Sequence, residues 1–324
     1  MRITFLGGGT DFPAYFEKHE GATISAAINK FVYVCTNPQP SFVQDRFRFT
    51  YRKTESVNSI DEFQHPVVKA VLENLEWNEP INIATMADLP GGTGLGSSSA
   101  FTASIIQNLN ARRGIELNQL NLARETIFIE RTFLKEPGGW QDQIATTLAG
   151  LRMHTYSKGD FSSDTDLLTK ENSSYFKKRM LLIKVPSNRK GSEPAIANQT
   201  FIQKNTESAL LKDLAEQTKA IWRNLKLKEE PEDQFKILQE AINYSWEQKK
   251  KWGKHMIDDF TQKSLDRLKR SGANNFKLVG AGGSGFILVA EDLDIMNNIK
   301  EKIPTTLQVE FEMVSIPTST KYYD

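Results

Sequence analysis

One cysteine, Cys35, stands in 324 residues. It can close no disulfide within the chain, and so few thiols suit a reducing compartment. The four histidines, His19, His65, His154 and His255, lie too far apart in sequence to give a metal-ligand spacing. Charges nearly cancel, with 41 Lys and Arg against 40 Asp and Glu. No one-signed field invites nucleic acid or an anionic membrane. No apolar run reaches the ~20 residues of a membrane span, and no basic-then-apolar start marks a secretory leader. Repeats and low-complexity tracts are missing too. What is left is a cytoplasmic globular protein with a length for one large or two ordinary domains.

Lysine is absent from residues 87 to 134. This excludes a Walker A loop, which ends in Gly-Lys-Ser/Thr. Yet that interval holds Gly91, Gly92, Thr93, Gly94, Leu95, Gly96, Ser97, Ser98 and Ser99 in one run. The run follows a strand-like stretch (81–86) and precedes an apolar helical pattern (100–113) ended by Gly114. Strand, glycine-rich turn and helix start together make an anion cradle. Glycine lets backbone N–H groups approach an anion, and the helix N-terminus adds unpaired N–H groups. The alternative, a serine-capped helix after a flexible turn, needs one serine and one glycine rather than seven such residues.

Two further glycine runs flank the chain. A strand at 2–6 leads into Gly7, Gly8, Gly9, Thr10 and Asp11. There the backbone can approach a ligand, and Asp11 can bind a hydroxyl or close an Asx turn. Near the other end, Gly280-Ala281-Gly282-Gly283-Ser284-Gly285 matches Gly-x-Gly-x-x-Gly. A dinucleotide site needs a helix after such glycines. Here the strand-like 286–289 follows 276–279, so a hairpin is expected and a dehydrogenase is not.

Other stretches expected as strands are 22–36, 47–52, 180–185 and 307–314, with 321–323 also strand-like. Helices are expected at 67–75, 118–135, 194–225, 232–250 and 258–271. In the second of these, Glu130 falls on the apolar stripe of Leu120, Ala123, Ile127 and Leu134. An inward carboxylate must be paired, hydrogen-bonded or bound to a cation, unless it sits at the stripe's edge in an ion pair. After Gly138 and Gly139, Gln141, Asp142 and Gln143 form a polar patch before a short apolar run. Asp142 there is either a helix N-cap or part of a pocket. Lys249, Lys250 and Lys251 read as a solvated face, and Trp222, Trp246 and Trp252 as packing residues. The polar stretch 157–174 marks the expected boundary between domains 1–172 and 173–324.

A phosphate cradle, a candidate metal ligand and a group to orient a hydroxyl are the needs of phosphoryl transfer. With its three glycine runs in this order, the chain resembles the GHMP-superfamily small-molecule kinases along its whole length. The Pro-x-x-x-Gly-Leu-Gly-Ser-Ser run from Pro90 to Ser98 resembles that family's ATP-phosphate motif. Within the superfamily, Gly-Gly-Gly-Thr-Asp and Gly-Gly-Trp-Gln-Asp-Gln are most similar to D-glycero-D-manno-heptose 7-phosphate kinases, with fucokinases sharing the layout. The resemblance implies an α+β fold of two domains, ribosomal S5 domain 2-like and then ferredoxin-like.

The resemblance further implies ATP phosphates on Gly91 to Ser99, Mg²⁺ on Ser98 and Glu130, and Asp142 as base. The substrate would be a small sugar phosphate held by Gly8, Gly9, Thr10, Asp11, Gln141, Asp142, Gly282 and Gly283, with Arg189 meeting its phosphate. Neither nucleic acid nor membrane is an expected partner, and a homodimer is left open. Two departures stand out. The Arg-x-Pro segment that family members carry ahead of the first strand is missing, the chain starting at Met1-Arg2, and Ser284 replaces a common glycine. The alternatives are a fucokinase or other sugar kinase of the superfamily, and a non-catalytic nucleotide-binding regulator on the same fold.

Overall fold

The computed structural model describes residues 1–186, 193–253, 257–280, 282 and 285–322. In chain order its elements are β1 (Arg2–Leu6), α1 (Pro13–Phe16), β2 (Gly21–Ala27), β3 (Val32–Pro38), β4 (Phe47–Thr50), β5 (Thr54–Val57), α2 (Pro66–Asn74), β6 (Ile81–Ala87) and α3 (Ser97–Arg112). Then come α4 (Gln119–Ile127), a π-helical turn (Phe128–Phe133), α5 (Gln141–Leu148), β7 (Leu151–Ser157), β8 (Asp160–Ser163), α6 (Lys170–Lys177), β9 (Met180–Val185), α7 (Glu193–Lys204), α8 (Ala209–Lys226) and α9 (Pro231–Lys250). The last are α10 (Asp259–Arg270), β10 (Phe276–Leu278), β11 (Gly285–Ala290), α11 (Leu293–Lys302) and β12 (Gln308–Val309).

The strands form three sheets, ordered β1-β2-β7-β8, β3-β6-β4-β5 and β10-β11-β9-β12. The first and third are antiparallel throughout, and β4 runs parallel to β6 in the second. One core joins Ile3, Phe5 and Ile24 of the first sheet to Leu214 and Trp222 of α8 and Leu238 of α9. A second packs Phe49 and Ile83 on Val68 of α2 and Ile105 of α3. A third sets Leu181 and Ile287 against Leu268 of α10 and Ile299 of α11. Each such side chain contributes about 1.5–3 kcal/mol on burial. The mixed α+β architecture expected from the sequence is present.

Several boundaries differ for local reasons. The expected strand at 22–36 is two strands in two sheets, because the chain turns tightly where Lys30 N donates to Ile28 O at 2.7 Å. The expected helix at 194–225 breaks into α7 and α8, with the Ser208 hydroxyl capping the second. The helix after the glycine run starts at Ser97 rather than 100. The expected strand at 307–314 shrinks to β12 and a bridge from Ile28 to Met313, 321 and 322 are not strand, and Tyr323 lies outside the described residues. Between β11 and β12 the helix α11 buries Met296 and Ile299, a spacing of three in an otherwise polar stretch. No helix among the described residues is long and apolar enough to cross a membrane.

Inside the first sheet His154 is buried, its ring between Ser163 Oγ at 2.7 Å and Ser25 Oγ at 3.1 Å. Burial, with Arg152 nearby, lowers its pKa from 6.5 to about 3. An unfolded chain takes up this proton near pH 6.5, whereas the folded protein takes it up only near 3. Stability from this group is therefore full above pH 6.5 and lost as pH falls toward 3, by at most about 1.4 kcal/mol per unit. Urea midpoints of wild type and His154→Gln test this. The wild-type advantage should shrink between pH 7 and pH 5, and an unchanged difference would contradict the assignment.

Candidate active site

β1 sets the geometry. Strand alternation puts Arg2 and Thr4 on one face, toward the first turn of α5. Arg2 is buried, and its Nε donates to Asp142 Oδ1 at 2.9 Å while Nη2 makes a second bond to the same oxygen. Its Nη1 donates to Gly94 O at 2.8 Å. Thr4 Oγ1 donates to Gln141 Oε1 at 2.7 Å. Asp142 lies in the first turn of α5 rather than at its N-cap, which is Trp140. Its Oδ2 accepts no hydrogen bond among the described residues.

The glycine run ends in an open helix terminus. Gly96 is the N-cap of α3, and no side chain closes the end, so the serine-cap alternative does not occur. Gly92, Gly94 and Gly96 have φ of 75°, 76° and 69°. Left-handed residues at alternate positions turn successive N–H groups toward one concavity, an anion-binding nest. Gly91 and Gly92 are exposed, as is Ser98, whereas Leu95 is buried and Leu95 O accepts from Arg2 N at 2.9 Å. The third glycine run braces this loop backbone to backbone. A Cβ at Gly280 would stand 2.4 Å from Gly94 Cα, and one at Gly285 2.4 Å from Thr93 O. Gly282 is buried, and Gly283 and Ser284 lie outside the described residues.

Glu130 is 1% exposed. The π-helical turn carries it, and the extra residue of such a turn shifts the inward face; π-turns often mark functional sites. Leu120, expected on the apolar stripe, is exposed, while Ala123, Ile127, Ile129 and Glu130 are buried. Glu130 Oε1 accepts from Thr102 Oγ1 at 2.8 Å, and Oε2 accepts from Ser99 Oγ at 2.8 Å and from Gln143 Nε2. The serine bonded to Glu130 is thus Ser99, next to Ser98, the serine expected on Mg²⁺. Gln143 Oε1 beside it is buried without a partner among the described residues. A carboxylate, hydroxyls and an orphaned carbonyl oxygen form a hard, all-oxygen donor set, which fits Mg²⁺. No group of three or more His, Cys, Asp or Glu among the described residues could hold a metal. Phosphates and water would complete the shell.

A cleft of about 210 Å³ brings together Gly8, Gly9, Asp11, Gly94, Gln141, Asp142 and Gly280. Asp11 is fully buried, and accepts from Gly9 N at 2.8 Å and Gln141 N at 3.1 Å. Burial raises its pKa, and those two N–H bonds oppose the rise. Thr10 does not line the cleft; its hydroxyl is spent on Gly7 O and Ala22 O, both at 2.9 Å. Arg189 lies outside the described residues.

Four cleft residues are basic: Arg2, Arg131, Lys249 and Lys277. Lys277 is buried, its Nζ on Thr4 O at 2.9 Å, Phe5 O at 3.0 Å and Ser245 Oγ at 2.7 Å. Burial, then Lys249 and Arg2, push its pKa well down. Lys249 corrects the reading of a solvated lysine face. Its Nζ donates to Leu278 O at 3.2 Å and to Gly280 O, and burial with Arg2 nearby lowers its pKa to about 7. Trp252 packs as expected, stacked on Phe201 with centroids 5.5 Å apart, but it also lines the cleft and its buried Nε1 lacks a partner among the described residues. Sequence reasoning missed Arg2, Thr4, Lys249 and Lys277. A charged residue alternating with Ile3 and Phe5 in a strand was the available signal for Arg2.

The brace between glycine runs is testable. Gly280→Ala should weaken binding of a non-hydrolysable ATP analogue at least tenfold, about 1.4 kcal/mol, because the new Cβ displaces the loop. Gly114→Ala is the control, with φ of 73° but nothing within 4 Å of its Cβ. It should lose thermal stability and keep nucleotide affinity. Equal affinities in both variants would remove the brace from nucleotide binding.

Residues 63–150, spanning the glycine-rich loop, Glu130 and Asp142, match the family described as GHMP kinases N terminal domain. The chain is 24% identical over 307 residues to the D-glycero-alpha-D-manno-heptose 7-phosphate kinase of Campylobacter jejuni, covering 90% of this chain and 88% of that one. It is 25% identical over 328 residues to the bifunctional fucokinase/GDP-fucose pyrophosphorylase of Arabidopsis thaliana, covering 94% of this chain but spanning only 30% of that protein's length. The crystal structure of a D-glycero-D-manno-heptose 1-phosphate kinase from Bacteroides thetaiotaomicron shares the fold, with a TM-score of 0.71 at 19% identity over 100% of this chain and 98% of that one. An open phosphate loop braced by a second glycine run lies in a chain whose residues 63–150 match the GHMP kinase N-terminal domain and whose relatives are sugar kinases, the features of a phosphotransferase with an alcohol group as acceptor.

Proposed function

We propose that the protein transfers the γ-phosphoryl group of ATP to the anomeric hydroxyl of D-glycero-D-manno-heptose 7-phosphate, giving the 1,7-bisphosphate. The observation that carries the reading is Asp142, fixed by Arg2 beside the phosphate loop with one carboxylate oxygen unengaged. That oxygen accepts the proton of the attacking hydroxyl. The sugar oxygen bonds the γ-phosphorus, the bond from phosphorus to the β–γ bridging oxygen breaks, and ADP leaves. N–H groups at the start of α3 and the glycine nest bind the phosphate oxygens as charge builds. Glu130 and Ser98 would hold Mg²⁺, with Ser99, Thr102 and Gln143 fixing the carboxylate. Bound Mg²⁺ neutralises phosphate charge. Asp11, Gln141 and the backbone of Gly8 and Gly9 face the sugar from the cleft wall. The division into domains 1–172 and 173–324 belongs to the same proposal, supported by the third sheet drawing all its strands from after residue 173.

For the sugar's own phosphate, Lys249 is the best-supported partner among the described residues. Arg2 is committed to Asp142, Lys277 to three oxygens and Arg131 to Glu130 and Glu136. Lys249 has carbonyl partners but no anion. Its pKa of about 7 sets a pH dependence. The ammonium is present below pH 7 and lost above it, so the KM for the sugar phosphate should rise from pH 7 to 9.

Assays of ADP release should show turnover with the heptose 7-phosphate and little with unphosphorylated heptose or L-fucose. The heptose 1-phosphate belongs in the panel because the structural neighbour bears that name. Asp142→Asn should lower kcat at least 10³-fold with a small change in KM. Lys249→Met should raise the KM for the 7-phosphate at least tenfold and flatten its pH dependence. Turnover with L-fucose instead would move the substrate to the fucokinase reading, which the 25% identical relative supports. ATP binding without turnover on any sugar would favour the non-catalytic regulator.

A further inference from the structure

A second and larger cavity, about 780 Å³, shares no residue with the cleft. Its walls are β3, the face of α3 that carries Ser104, Asn108 and Arg112, and the C-terminal segment from Ile316 to Tyr322. Its size falls within the 300–1,000 Å³ of small-molecule sites. Among the described residues no Asp or Glu lines it, whereas Arg112 and Lys321 do. Neither forms an ion pair among the described residues, and both are exposed. Of the three aromatic rings on the lining, Phe31, Tyr33 and Tyr322, the two tyrosines are 47% and 64% exposed. Asn108 is not free to read a ligand, since Thr36 Oγ1 donates to it at 2.5 Å and it donates to Val34 O at 3.2 Å. Those bonds pin α3 to β3.

We propose that this groove binds a small organic anion with an aromatic body. Tyr33 and Tyr322 supply stacking surface, and Arg112 and Lys321 supply the counter-charge, with no carboxylate among the described lining residues to oppose it. The groove also touches the machinery of the cleft from behind. Thr146 lines it, and Thr146 Oγ1 donates to Asp142 O at 2.7 Å. From the tail, Thr318 Oγ1 donates to Thr146 O at 3.2 Å. A ligand that moves the tail thus moves a residue bonded to the turn that carries Asp142. Occupancy of the groove stands apart from the reading of the cleft, whereas its effect on turnover rests on that reading.

The probe is 8-anilinonaphthalene-1-sulfonate, an aromatic anion, titrated by fluorescence into the full chain with saturating heptose 7-phosphate present. Saturable binding is expected, weakened at least tenfold in Arg112→Glu and in Ser104→Trp, which fills the groove. Both positions lie outside the cleft, and unchanged thermal midpoints would show that the variants fold. Equal binding by wild type and both variants, or release of the probe on adding the sugar phosphate, would overturn the site. In the wild type, saturating probe should change kcat or KM for the sugar at least twofold, and in Arg112→Glu it should not. A site that binds the probe with no change in turnover would overturn the coupling and leave the binding standing.

Discussion

The guanidinium of Arg2 joins three parts of the chain that are distant in sequence. Two of its nitrogens grip Asp142, 140 residues away, and a third holds the carbonyl of Gly94, 92 residues away. A planar fork of donors suits that task, because it fixes direction as well as charge. Burying such a charge is costly unless it is paired and hydrogen-bonded, and the contacts made here meet both conditions. The carboxylate and the phosphate loop are therefore located relative to one another by one side chain on the first strand.

Around that fork the molecule concentrates cation and backbone. Lys277 hangs from the carbonyls of Thr4 and Phe5, so β10 is tied to the strand that carries Arg2. Lys249, one turn from Trp252 at the end of α9, meets the carbonyl of Gly280, where the third glycine run presses on Gly94. Three basic groups share a small space with few carboxylates; burial first, and repulsion among them second, depress both lysines. A cleft built this way is poised for polyanions. Glu130 lies outside the cleft lining, where three side chains hold its carboxylate still.

The glycine runs were legible because their chemistry is local: backbone freedom and helix ends follow from neighbouring residues. Glu130 was legible as an anomaly on an apolar stripe, of which Ala123 and Ile127 are buried and Leu134 packs on the core, whereas Leu120 is exposed. The break at Ile28 was hidden because the apolar residues on either side serve two different sheets. Arg2 and Lys277 could not be assigned from sequence because their partners come from 140 and 273 residues away. Lys249 sat in a run of three lysines, and only its carbonyl partners distinguish it from the exposed Lys250 and Lys251 beside it.

The account's central claim is that Arg2 acts through Asp142. A double-mutant cycle in kcat with Arg2→Met, Asp142→Asn and the pair tests it most directly. If the guanidinium serves to place that carboxylate, the double variant should be no slower than Asp142→Asn alone, within about threefold. Multiplication of the two single losses in the double variant would contradict the claim and make Arg2 an independent contributor to the transfer.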